Sequence, residues 1–183
     1  SNPTAVSSCM KHFIGYSDPK SGKDRTEAYI SDITLWQKHI PSFKAAIDAG
    51  ASTIMINSSM INDVPVHSSF DLLTDLLRNR LGFKGMIVTD WEDIIRLHER
   101  HKIASTPREA VKIAINAGID MSMVPNNYSF CKHLAELVKA GEITESRIDA
   151  SVRRILVLKS KLGLFENPYP EKEAVRNFGL PEY

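Results

Sequence analysis

The chain alternates short runs of apolar residues with longer stretches in which apolar residues recur every three or four positions. Four of the short runs read as buried strands, because each is closed by polar or loop-forming residues. They span 8–13, 52–57, 85–91 and 119–124, the last stopped by Pro125. The stretches between them read as helices with their own start and stop signals. Segment 40–49 has Pro41 at a first helical position, Phe43 and Ile47 on one face and Gly50 as its stop. Segment 70–81 puts Leu72, Leu73, Leu76 and Leu77 on one face and ends at Gly82. Ser105-Thr106-Pro107 opens a helix that runs through Ala110, Val111, Ala114 and Ile115 to Gly118. Segment 128–140 repeats the scheme up to Gly141. Thr144 caps a last helix with an apolar stripe of Ile148, Val152, Ile155, Leu158 and Leu162, stopped by Gly163.

This alternation predicts an α/β fold of parallel strands joined by right-handed crossovers and flanked by helices. A closed barrel of (βα) repeats takes eight units and about 250 residues, and about four units are legible here. The sheet is therefore either open and doubly wound or about half of a barrel. The polar segment from Ser17 to Asp32 is long for a loop inside a compact domain, and loops of that size are usually functional. The tail from Asn167 to Tyr183 reads as a linker or an extended arm. The absence of an initial methionine suggests a segment of something longer.

Composition narrows the classes. A net charge of +1 and a pI of about 7.8 give no basic or acidic surface for nucleic acid or membrane. No apolar run approaches the length of a membrane span. Cys9 and Cys131 are too few for a disulfide framework or a metal site, and in apolar contexts they read as buried thiols. Met121 and Met123 read as core.

Candidate chemistry gathers at strand ends. Asp90 closes the third strand, where α/β proteins usually place their chemistry, and Trp91 beside it offers an aromatic plate suited to a sugar. The other reading is that Asp90 caps a helix beginning near Asp93. Lys11-His12 closes the first strand. This pair could donate hydrogen bonds to hydroxyls or stabilise a carboxylate, or it could be a salt-bridged lysine and a structural histidine. Asp24-Arg25 could shape the long loop as an ion pair, or Arg25 could contact a ligand. His98, Glu99 and His101 lack the accompanying carboxylate pattern of a metal site. There is no Gly-rich phosphate loop and no Gly-x-Ser-x-Gly elbow, and no cofactor is expected.

Several strings, in order over nearly the whole chain, resemble glycoside hydrolase family 3, the β-glucosidase-type members most of all. They are Lys11-His12-Phe13-Ile14-Gly15-Tyr16, 82–91, Ala117-Gly118-Ile119-Asp120-Met121, and the run from Arg147-Ile148-Asp149 through Arg153-Arg154-Ile155-Leu156 to Gly163-Leu164-Phe165. The resemblance implies that residues 1–166 are the second half of a TIM-like barrel and that 167–183 lead toward a following domain. It implies Asp90 as nucleophile of a retaining hydrolase of β-linked glucosides or oligosaccharides, with Lys11 beside it keeping the carboxylate ionised. Lys11 and His12 would hydrogen-bond the sugar hydroxyls, Trp91 would flank the nucleophile, and Arg25 matches a common loop arginine. An exported parent enzyme, periplasmic or extracellular in bacteria, is implied too.

The match has gaps. In such β-glucosidases the general acid usually comes from the domain after the barrel. The N-acetylglucosaminidase branch carries a His-Asp pair in the loop after Lys-His, and 16–25 lacks it. Many relatives have a Tyr or a Gly-Glu pair near Ser58-Ser59-Met60, and this chain has neither. The alternative is a non-catalytic sugar-binding or self-associating half-barrel. Open strand edges predict self-association or pairing with a missing half.

Overall fold

The computed structural model describes residues 6–181. The chain opens with β1 (Cys9–Phe13). After the long loop come α1 (Asp32–Thr34), a π-helical stretch (Leu35–His39) and α2 (Ile40–Asp48), without a break. There follow β2 (Thr53–Ile56), a small hairpin of β3 (Met60–Ile61) and β4 (Val64–Pro65), and a second π-helix (Asp71–Arg80). The strand β5 (Met86–Trp91) leads to α3 (Asp93–Glu99) and α4 (Pro107–Ala117). The chain finishes with β6 (Met121–Met123), α5 (Ser129–Lys139), α6 (Glu145–Lys161) and α7 (Lys172–Arg176).

The main sheet is parallel, in the order β1-β2-β5-β6. Met10 lies opposite Ile54, Ile54 opposite Ile87, and Val88 opposite Met121. A doubly wound sheet reverses its order at a switch point. This one keeps chain order throughout, as successive (βα) units of a barrel do. All four strand C-termini consequently lie at one end of the sheet, and Asp90 is among them. The core between sheet and helices is built from Phe13, Ile54, Ile56 and Ile87 on the strands and Leu73, Leu77, Leu97 and Leu137 on the helices.

Local signals explain most boundaries. The Thr106 hydroxyl accepts from the Glu109 N–H (3.1 Å) and Thr144 accepts from the Arg147 N–H (3.2 Å), each supplying a donor at a helix start with its partner. Gly85 has no room for a side chain, because a Cβ there would stand 2.1 Å from the Ser52 carbonyl oxygen. Gly15, at φ +75°, would drive a Cβ against Ile30 and Ile61. The long loop folds back over the sheet's end: the Ala28 N–H donates to the Met60 carbonyl (3.0 Å), and Ala28 is fully buried.

Several expectations are corrected. The helix expected at 40–49 starts at Asp32, with Ser31 as its cap. The Leu-rich helix is wound with five-residue hydrogen bonds, Leu81 N–H to Leu76 C=O at 2.9 Å among them. Cys9 and Cys131 are exposed rather than buried, Cys9 because β1 is an edge strand. Met121, on the other edge strand, is 45% exposed and not core. On α6 only Ser151 is buried, and Val152 of the expected stripe is 44% exposed. The tail is not extended throughout, since it forms the short exposed α7. Among the described residues no helix is long and apolar enough to cross a membrane.

Candidate active site

Asp90 is the penultimate residue of β5, half-buried, and four groups converge on its carboxylate. Its own neighbour's N–H, Trp91, donates to Oδ1 (2.6 Å). The Ser58 hydroxyl, just beyond the end of β2, donates to Oδ2 (3.1 Å). Arg25 Nη2 and His12 Nε2 each stand 3.6 Å from Oδ2. These two are charge and dipole contacts rather than hydrogen bonds. Burial alone would raise the pKa of Asp90, but the two hydrogen bonds, then Arg25 and His12, hold it below the usual carboxylate range. Asp90 is thus an anion at neutral pH. It does not cap α3: the cap position is Glu92, in the left-handed region, and no side chain bonds the helix N-terminus there.

The other sequence-selected residues fall into two groups. His12 and Arg25 reach Asp90. Burial lowers the His12 pKa, against the pull of Asp90, so its imidazole is neutral at pH 7. Its ring lies 4.5 Å from that of Tyr16. Arg25 forms the loop ion pair considered for it, its Nε lying 3.7 Å from Asp24, and it faces Asp90 as well. Lys11 is exposed and lines a neighbouring cleft with His12, Tyr16 and His39. Asp90 pairs with Arg25 and faces the neutral His12 ring, so ionisation of the carboxylate is held by those groups and the two hydrogen bonds, not by Lys11. Trp91 is 48% exposed beside Asp90. His98 is committed locally, its Nδ1 3.0 Å from the Ala104 carbonyl.

Behind Asp90 lies a buried layer that sequence reasoning missed. The Ser58 hydroxyl also makes a very short contact to Asp93 Oδ2. Asp93 Oδ1 accepts from Arg96 (3.0 Å), and His67 Nε2 stands 3.6 Å from Oδ2. His67 is fully buried, and burial pushes its pKa down to about 4 despite the nearby Asp93. Asp93 therefore faces a neutral ring and is countered by Arg96. Ser58 itself is pinned by its neighbours: the Asn57 side chain donates to Ile14 C=O (2.7 Å) and accepts from the Ser59 N–H (3.1 Å). The only sequence cue was the run of small polar residues closing a strand.

An ionised carboxylate thus stands at the mouth of a parallel (βα) sheet, with an aromatic neighbour and polar side chains from adjacent strand ends, the place where (βα) domains carry their chemistry. The chain matches the Glycosyl hydrolase family 3 N terminal domain over residues 2–158, and it belongs to that family. It is 55% identical to a lysosomal beta glucosidase of Dictyostelium discoideum over 94% of its length, which is 21% of that protein. It is 37% identical to a periplasmic beta-glucosidase of Salmonella typhimurium over 90% of its length, again 21% of the relative. It superposes on a mutant beta-glucosidase from Listeria innocua in complex with laminaribiose with a TM-score of 0.91 at 29% identity, covering all of this chain and 25% of that one. The chain thus spans about a fifth of the length of the curated relatives it matches.

Proposed function

We propose that this chain is the segment of a retaining β-glucosidase-like hydrolase that carries the nucleophile, Asp90. We further propose that residues 1–166 are the second half of a TIM-like barrel, with 167–183 running toward a further domain. The observation that carries the reading is the state of Asp90: an anion at the C-terminal end of a parallel strand, oriented by two hydrogen bonds and open on one side.

The chemistry follows from that state. The Asp90 carboxylate attacks the anomeric carbon of a β-glucoside, and the bond to the leaving oxygen breaks as that oxygen takes a proton from a general acid. Water then attacks the same carbon, and the electron pair of the ester bond returns to Asp90. His12 and Lys11 hold sugar hydroxyls, and hydrogen bonds that tighten at the oxocarbenium-like transition state contribute several kcal/mol. Trp91 flanks the ring. The general acid is not Asp93, the other carboxylate in contact with Ser58, because Asp93 is buried and engaged by Arg96. We assign it instead to the domain that follows the barrel in the β-glucosidase-type members this chain resembles. β-Linked gluco- or xylo-oligosaccharides are the proposed substrates, and the parent enzyme is one exported from the cytoplasm.

Intact mass after incubation with 2-fluoro-glycosyl fluorides tests this, because fluoride leaves without acid assistance. The expected result is a sugar adduct on the chain that Asp90→Asn abolishes. No adduct with any sugar of the panel would remove the catalytic reading for this chain and favour a sugar-binding or scaffold role.

A further inference from the structure

Ser58 has one hydroxyl proton and two carboxylates to give it to. Its Oγ is 3.1 Å from Asp90 Oδ2 and closer still to Asp93 Oδ2. A neutral hydroxyl donates once, so at any instant one of these contacts is a hydrogen bond and the other sets two oxygens face to face. The side chain is buried. Both carboxylates carry other partners that do not move with Ser58: Trp91 N–H, Arg25 and His12 on Asp90, Arg96 and His67 on Asp93.

We infer that Ser58 is a positioning residue whose hydroxyl, keeping its hydrogen, swings its hydrogen bond between Asp90 and Asp93 as Asp90 changes from anion to ester and back. The inference rests on Asp90 being the nucleophile. In the free protein the Asp90 anion competes with Asp93, the nearer acceptor, for that hydrogen. When Asp90 becomes a neutral glycosyl ester its oxygen is a weaker acceptor, and the hydroxyl turns wholly to the nearer Asp93 carboxylate. Asp93 therefore offsets the bond given up during glycosylation. In the second step water attacks the anomeric carbon, the carbon–oxygen bond to Asp90 breaks with its electron pair staying on the carboxylate, and the water's proton goes to a solvent base. Ser58 turns back as that charge appears. It thus acts on the departure of Asp90 more than on its attack. Asn57 and Ser59 fix the backbone on either side, so only the hydroxyl rotor has to move.

Two readouts on the full chain test this, with Ser58→Ala and Ser58→Thr, the latter keeping the hydroxyl. The first is a carbon-13 NMR titration of the Asp90 carboxyl, which needs no catalysis. Ser58→Ala is expected to move its midpoint upward and Ser58→Thr to restore it. The second is the lifetime of the 2-fluoro-glucosyl adduct, expected to lengthen about tenfold in Ser58→Ala, the size of one hydrogen bond to a charged group. A wild-type adduct whose lifetime and Asp90 titration are both unchanged in Ser58→Ala overturns the role of Ser58 while leaving Asp90 as nucleophile. A wild-type chain that forms no adduct overturns both. A midpoint that rises in Ser58→Ala with no change in lifetime reduces Ser58 to a structural contact.

Discussion

At the scale of single residues, the candidate site is an exercise in holding one carboxylate ionised. Burial works against that, and hydrogen bonds from Trp91 and Ser58 plus the charge of Arg25 overcome it. The sign for pH follows. A nucleophile must be deprotonated, so adduct formation is expected to persist to pH values below the ordinary carboxylate range and to fail only as Asp90 takes a proton. Arg25→Ala removes a cation that favours the anion, so the acid limb of labelling shifts to higher pH, while Arg25→Lys largely keeps it. The rate at neutral pH should fall no more than about fivefold, since an ion pair this exposed contributes about 1 kcal/mol or less. A pH profile of adduct formation checks both, and an acid limb that stays put in Arg25→Ala would remove Arg25 from the site. Asp90, His12 and Arg25 were legible in the sequence because each sits in a string with a positional meaning, at a strand end or in an overlong loop. The Ser58–Asp93 contact was not, because it joins residues 35 apart through two strand ends, and neither has a local signature. Lys11 shows the converse. The resemblance implied that Lys11 keeps Asp90 ionised, and the fold gives the ion pair to Arg25 instead.

At the scale of elements, the strings that pointed to the family turn out to serve the scaffold as much as the site. Asp120, from the Ala-Gly-Ile-Asp-Met string, is a buried hub just ahead of β6. Its carboxylate accepts from Arg78 (2.6 Å), Arg154 (2.8 Å), Ser151 (2.7 Å) and the Ile87 N–H (2.9 Å). Arg147, on α6, donates to the carbonyls of Ile115 and Ile119 and to Ser151. One carboxylate therefore ties α6 and the π-helix Asp71–Arg80 to β5, which carries Asp90. Beside these ionic contacts, Ser151 is the one fully buried residue of α6, while Ile148 packs against the core from a half-buried position. Asp120→Ala leaves guanidiniums packed without their anion and should cost about 3–5 kcal/mol. Asp149→Ala, an exposed acid on the same helix, should cost about 0.5 kcal/mol or less. Urea denaturation of the two variants decides it, and similar midpoints would show the cluster to be dispensable. Helix starts were legible because Thr106 and Thr144 act within one turn of themselves. The π-winding of Asp71–Arg80 was not, because Leu72, Leu73, Leu76 and Leu77 stand three to five residues apart, a spacing that suits a five-residue hydrogen-bond pattern as readily as a four-residue one.

At the scale of the molecule, the strand order has a consequence that neither residues nor elements show alone. β1 and β6 are both parallel strands in a sheet that runs in chain order, and among the described residues each pairs on one side only. A right-handed twist accumulates across such a sheet and curls it toward closure. Two such four-stranded sheets placed head to tail put β6 of each copy beside β1 of the other, both parallel, and the ring then counts eight strands, the number at which (βα) barrels close. The exposed Met121 on one edge and Cys9 on the other fit strands built to be covered. Alone in solution the chain is accordingly expected to sediment as two copies rather than as one or as an open series. Met121→Lys sets a charge on an edge strand at a position already solvent-facing, so it should spare the fold and push the equilibrium toward one copy. Sedimentation velocity over a wide concentration range, with circular dichroism to verify folding, reads the outcome. A folded wild-type chain that stays a single copy at every concentration would show that the edges are sealed by the sheet's own curvature. A dimer untouched by Met121→Lys would move the contact away from β6, to the exposed Val152, Leu156 and Val157 of α6.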